Sequence, residues 1–290
     1  MTCATGAKVD LIITSHNRPE TMQSPSAQER VLWTTDTLEP VLLQLDVQTL
    51  LLAQRTCRLW HLLIHTSPAI QKALFYLADH NQRPVQNPLL AKVFPSFFPH
   101  PVTGETDANF TFMNFDTVQN PDKIIAYNRR RASWRRMFVQ QPPPLNFVLV
   151  EYCSDHRNGH VQRKIIRPKD DTGKTDVHGV RMEVLYQFVV TNGPLRFETD
   201  HYHQMYWRTG AGASMTTHPW TGKSEVVEVL QQTLAQVDLV VYSKRPTISR
   251  CRSRDPRDRG AEEKRRRLIM PHWVSPVGNQ LLYDMVNWEG

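Results

Sequence analysis

Residues 33–77 read WTTDTLEPVLLQLDVQTLLLAQRTCRLWHLLIHTSPAIQKALFYL, and the fold of the first third of the chain follows from them. Leu38, Val41, Leu42 and Leu45 recur at i, i+3, i+4 and i+7, the one-face pattern of a helix. Asp46 interrupts that run and is suited to cap a second helix, which carries Val47, Leu50, Leu51 and Cys57 while Ala53 and Gln54 pass over its exposed side. Leu59, Trp60, Leu63 and Ile64 form a third apolar cluster. Ser67-Pro68 reads as the start of a fourth helix, hydroxyl at the N-cap and proline at the first helical position, with Ile70, Leu74 and Leu77 on its apolar side. Helices of two to three turns are marginal alone. A unit of this size is therefore expected to lie against a larger body or a partner.

Working outward, residues 1–30 are polar and rich in Ser, Thr, Gln and Pro, the composition of a disordered lead-in. Downstream, Asn87-Pro88 predicts a capped helix start, and Phe94-Pro95-Ser96-Phe97-Phe98-Pro99 is an aromatic segment that its prolines keep out of a helix. Those phenylalanines, with Trp134, are expected inside the core. Gly104 to Asp122 reads as a loop, and 128–141 as a helix with Trp134, Met137 and Phe138 on one side and five arginines on the others. Phe147 to Val150, Val161 to Ile166 and Val237 to Tyr242 are strand candidates. Glu183 to Val190 favours a helix ended by Gly193-Pro194, and Ser224 is suited to cap another. The expected class is α+β: a small all-α unit at 33–80, then a mixed body at 87–243. A basic flexible insert at 244–267 and a tail at 268–290 packing on the body complete the chain.

The charge sits in one place. Lys244 to Arg267 holds eleven basic and four acidic residues, a difference of +7 that equals the formal charge of all 290 residues. The remainder is balanced. Lys264, Arg265, Arg266 and Arg267 have the composition of a nuclear-import cluster or a nucleic-acid patch. No apolar run is long enough to span a bilayer or form a signal-peptide core, so the expected compartment is cytoplasmic and/or nuclear, without a membrane. The four cysteines, at 3, 57, 153 and 251, lack metal or disulfide spacing, and Cys57 reads as a small core residue.

Chemical motifs fail on inspection. Gly173-Lys174-Thr175 and Gly222-Lys223-Ser224 echo the end of a phosphate-binding loop, but Pro168 and Thr217 stand where its first glycine is needed. His201, His203 and His218 have no Cys or His at metal spacing to complete a site. No nucleophile-elbow pattern places a serine beside a base. The expectation is a non-catalytic protein with no catalytic, metal or cofactor-binding residue.

On these residues, 33–77 resembles an F-box without a gap. Asp36-Thr37-Leu38, Val41-Leu42 and Leu45 match its first helix, Leu50-Leu51 the leucine pair of its second, and Cys57-Arg58-Leu59-Trp60 the Cys-basic-x-Trp signature of its third. Thr34 stands where proline is usual and Thr37 where leucine is usual, while Pro40 falls early in the first helix. NPLLAKVFPSFF, ASWRRMFVQQPPP and GVRMEVLYQFV resemble segments of F-box proteins abundant in filamentous fungi. The resemblance implies a substrate receptor of an SCF-type cullin ubiquitin ligase, which docks on a Skp-type adaptor and presents a client protein through its C-terminal body. It also implies the adaptor-binding residues: Trp33, Leu38, Val41, Leu42, Leu45, Val47, Leu50, Leu51 and Trp60. The alternatives are a nuclear nucleic-acid-binding protein using the basic segment and an F-box-like scaffold outside any ligase.

Overall fold

A computed structural model describes residues 34–99, 129, 131–154, 159–169, 176, 178–192, 202–208, 224–245 and 283–288. The expected lead-in at 1–30, the loop from Gly104 to Asp122, and most of the basic and C-terminal segments lie outside these residues, as do Trp33 and Lys264, Arg265, Arg266 and Arg267. The class is α+β.

Among the described residues, four short helices come first: α1 (Thr35–Leu42), α2 (Val47–Ala53), α3 (Arg58–Thr66) and α4 (Pro68–Ala73). Two of the caps read from sequence are in place. The Asp46 carboxylate accepts from the Gln48 and Thr49 N–H groups, and the Ser67 hydroxyl accepts from Ile70 N–H. Leu38, Leu42, Leu50, Ala53, Leu63, Ile64, Ile70 and Leu74 make a small core.

Three details depart from the sequence reading. Ala53 is buried, because α2 turns its Leu50–Ala53 side inward and leaves Leu52 in solvent. Cys57 is exposed, since it stands in extended backbone at the N-cap of α3 rather than on an apolar helix face. Leu77 is 44% exposed because α4 has already ended. Phe75, at φ 59°, takes the left-handed position usually given to glycine, Tyr76 N–H reaches back to Gln71 O at 2.9 Å, and Phe75 N–H to Lys72 O at 2.9 Å. A left-handed phenylalanine costs about 1–2 kcal/mol, and burial of its ring in the core of the body offsets that.

The body is a five-stranded sheet with helices on both faces. Its strands are β3 (Phe147–Ser154), β4 (Gly159–Pro168), β5 (Tyr202–Trp207), β6 (Leu239–Arg245) and β7 (Tyr283–Asn287), in the order β5-β6-β3-β4-β7. β3 and β6 run parallel, and the other neighbours are antiparallel. β3 is an unbroken apolar run at its start because both of its faces are covered. Phe147 and Leu149 face the large core with α7 (Met182–Asn192), whereas Val148, Val150 and Tyr152 face α8 (Ser224–Leu234). Lys244 and Arg245 belong to β6, so strand structure continues two residues into the segment read as a flexible insert. The helix expected to start at Ser224 is α8, which begins at that residue.

A strap joins the helical unit to this body. Among the described residues it comprises β1 (Val85–Gln86), α5 (Pro88–Val93), a 3-10 turn (Pro95–Phe97), α6 (Ser133–Arg136) and β2 (Gln140–Gln141), with β1 and β2 antiparallel. The expected helix over 128–141 is, among the described residues, only the turn of α6. Met137, Phe138 and Val139 are buried in succession, which no single helix face allows. Their backbone bonds are long-range instead: Phe138 N–H donates to Phe75 O at 2.8 Å, Val139 N–H to Val180 O at 3.3 Å, and Met182 N–H to Met137 O at 2.9 Å. Arg135 is buried too, paired with Glu183 at 2.7 Å, and does not lie on a solvated arginine face. Gly179, at φ 113°, lets the chain pass the proline run, since a Cβ there would lie 2.8 Å from both Pro143 Cβ and Pro144 O.

Phe94, Phe97, Phe98 and Trp134 are all buried, as their composition predicts. Phe94 meets Trp134 with ring centroids 5.2 Å apart, Phe98 stacks on Trp207 at 5.5 Å, and Trp207 Nε1 donates to Phe97 O at 2.9 Å.

Candidate functional site

The helical unit is the candidate site, and its surface is defined by what its own core leaves over. Leu38, Leu42 and Leu50 are 1%, 0% and 1% exposed and hold α1 to the other helices. They are therefore not a free contact surface, contrary to what the resemblance implies for them. A periodic apolar stripe on a short helix is consumed first by the unit's own packing. Of the remaining predicted contact residues, Val41 is exposed, and Leu45, Val47, Leu51 and Trp60 are half-buried. Sequence reasoning missed Leu43, Leu52 and Leu62, which are exposed apolar residues of the same unit. Leu62 is the most exposed at 59%. The available signal was that α2 and α3 carry more leucines than one face of a short helix can bury.

Polar groups fix the geometry around this surface. The Ser67 hydroxyl, besides capping α4, donates to the Glu39 carboxylate and so ties α1 to α4. Gln71 Nε2 donates to Ile64 O at the end of α3. At the start of α1 the Thr34 and Thr37 hydroxyls hydrogen-bond each other, and Thr37 also donates to Thr34 O at 3.2 Å. Pro40 lies in the second turn of α1, not the first; it forfeits one intrahelical bond, and α1 ends two residues later. The Asp46 carboxyl is held below the ordinary carboxylate range, chiefly by the Thr49 hydroxyl and then by backbone N–H groups.

The back of the unit is closed by the body. Val47, Leu51 and Tyr76 pack on both cores. The Gln141 side chain spans the joint, donating to Leu77 O at 2.7 Å and accepting from Asp79 N–H at 2.8 Å. Lys92 Nζ donates to Gln48 Oε1 at 3.1 Å. Tyr76 lies beneath the Arg136 guanidinium, which is 4.8 Å from its ring centroid, and burial pushes the phenol pKa up.

A second polar constellation sits inside the sheet. Glu151 on β3 is opposite Ser243 on β6, and Ser243 is opposite His203 on β5, so the three form one cross-strand row on the core face. Their exposures are 2%, 1% and 1%. Glu151 pairs with Lys164 at 2.6 Å, and the His203 ring lies 6.4 Å from that of Phe188. Serine, histidine and a carboxylate are the residue types of nucleophilic catalysis, and here all three are buried in one cross-strand row of the sheet. Among the described residues no group of three His, Cys, Asp or Glu side chains is placed to hold a metal ion, and His201 and His218 lie outside them. No helix among the described residues is long and apolar enough to cross a membrane.

Neither the known protein-family models, nor the curated proteins, nor the solved structures contain a match to this chain.

Proposed function

We propose that the chain is a non-catalytic substrate receptor of an SCF-type cullin ubiquitin ligase, docking on a Skp-type adaptor through an F-box formed by its first helices and holding a client protein with the α+β body. The observation that carries this reading is a unit of short helices that bears the Cys57-Arg58-Leu59-Trp60 signature and leaves Val41, Leu52 and Leu62 in solvent after its own core is filled. Exposed leucines in such number on a unit that already has a core favour a partner surface. The fixed seating of the unit on the body suits a receptor, because a client held by the body would keep a constant orientation to the ligase. Such a subunit works in the cytoplasm, the nucleus or both.

The adaptor-facing set in this reading is Val41, Leu45 and Trp60, joined by Leu52 and Leu62, while Val47 and Leu51 are taken up by the joint with the body. Interface energy concentrates in a few apolar anchors. Replacing Val41 and Leu62 together by Asp is therefore expected to weaken adaptor binding by more than about tenfold, with an unchanged circular dichroism spectrum. Undiminished binding of that folded variant would remove this surface from the account.

A further inference from the structure

β7 forms one edge of the sheet and is exposed along almost its whole length. Tyr283 is buried at its start, but Asp284, Met285, Val286 and Asn287 are all exposed, Met285 and Val286 at 40% each. The opposite edge is covered: His203, Gln204, Met205 and Trp207 of β5 are buried. β7 pairs with β4 in unbroken register and holds no proline, lysine or bulge, the devices that keep a sheet edge from pairing.

The register fixes which main-chain groups face outward. Trp288 N–H donates to Arg163 O at 3.1 Å, so these two residues form a hydrogen-bonded pair. Antiparallel ladders alternate, so Asp284 and Val286 also turn their N–H and C=O groups to β4, and those of Met285 and Asn287 point away from it. Side chains alternate as well. Asp284, Val286 and Trp288 lie on the α8 side, where Trp288 packs on the core, and Met285 lies on the α7 side with its neighbour Ile166.

The two ends of β7 differ in charge. Asp284, near the start, stands opposite Arg167 and pairs with Lys169 at 2.6 Å. At the far end the Arg163 guanidinium lies over the Trp288 ring, 5.7 Å from its centroid. One face of the strand thus carries an acid at one end and a cation-capped indole at the other.

We infer that β7 pairs antiparallel with β7 of a second copy of this chain, about a two-fold axis at Val286, so that one sheet runs through both molecules. In that register Val286 meets Val286 of the second copy in the close, non-hydrogen-bonded position. Met285 and Asn287 exchange main-chain hydrogen bonds with Asn287 and Met285 of the second copy. Asp284 stands opposite Trp288 of the second copy, which brings a carboxylate to the Arg163–Trp288 stack at each end. The two Asp284 residues are then about 13 Å apart. An axis at Met285 would make them diagonal neighbours at about 7–8 Å, so charge selects Val286. An unrelated strand finds the same main-chain groups but not this match of ends, which is why a second copy is the occupant. A contact one strand wide falls below the roughly 800 Å² per partner of a stable complex, so the association is weak. It does not rest on adaptor docking, because it is read on the chain alone.

Sedimentation velocity of the full chain from about 5 to 500 μM tests it. The expected result is a monomer–dimer equilibrium with half-dimerisation at about 10–100 μM. Val286→Lys sets two ammonium groups against each other and should weaken it by more than about tenfold. Asp284→Arg and Arg163→Glu should each be monomeric over the same range while still melting cooperatively, because each opposes like charges at both ends. Mixed one to one, those two variants should form a heterodimer, since each end then joins opposite charges. A merely structural role for either residue does not produce that rescue. A wild-type chain that stays monomeric would leave the edge to a different protein and overturn the inference. So would a dimer that Val286→Lys leaves intact, or a mixture of the two folded charge variants that stays monomeric.

Discussion

Asn87 offers the sharpest test of how the strap holds the two halves together. Its side chain is fully buried and makes three hydrogen bonds: Oδ1 accepts from the N–H groups of Leu89 and Leu90, both at 3.1 Å, and Nδ2 donates to Phe138 O at 3.3 Å. Asn87→Ala removes the cap of α5, a loss of about 1 kcal/mol. It also leaves the buried Leu90 N–H and Phe138 carbonyl without those partners, for about 1–3 kcal/mol more. The expected total is about 2–4 kcal/mol. Asn87→Ser keeps an acceptor for the cap but loses the bond to Phe138, so it should fall near half of that, about 1–2 kcal/mol. Urea unfolding followed by tryptophan fluorescence measures both, with the midpoint shifting at constant m-value. If Asn87→Ala unfolds within about 0.5 kcal/mol of the wild type, or if serine is no better than alanine, the bonds do not do what is argued for them.

Trp134→Ala should cost about 3–5 kcal/mol, because the indole packs against Phe94 and Tyr186 with centroids 5.2 Å from each; a melting curve like that of the wild type would make Trp134 a surface residue. In the helical unit, Leu42→Ala should cost about 2–5 kcal/mol and Leu62→Ala less than about 0.5 kcal/mol, and chemical denaturation that ranks them the other way would invert the assignment of core and surface. Asp46 has a folded-state pKa below its ordinary value, so its contribution to stability is present above about pH 4 and is lost as pH falls through the lower folded value. Asp46→Asn should therefore flatten the acid limb of the stability profile, and an acid limb identical to that of the wild type would contradict the role given to the Thr49 bond.

Local signals in the sequence carried the elements whose boundaries are chemical. Asp46, Ser67 and Asn87 name their helix starts because a side-chain oxygen must meet orphan N–H groups. The aromatic segment from Phe94 to Phe98 could be read as core from its composition alone. What could not be read was tertiary. The end of α4 at Phe75 has no glycine, and only a buried ring makes the left-handed backbone tolerable there. Residues 137–139 look helical by period, yet their backbone groups bond to Phe75, Asn87 and Val180 and Met182, all distant in sequence. The candidate surface suffered from the same blindness. Apolar periodicity marks Leu38 and Leu42 without saying whether a partner or the unit's own core will cover them, and here the core does.

Adaptor binding is the measurement closest to the central claim. The full chain should be titrated into a purified Skp-type adaptor by calorimetry and the product passed over a sizing column with a cullin scaffold. The account predicts a one-to-one complex with a dissociation constant of about 1 μM or tighter, equivalent to about −8 kcal/mol, and co-elution of the cullin. No heat and no complex with any Skp-type adaptor at about 100 μM, from a chain that circular dichroism shows to be folded, would contradict it.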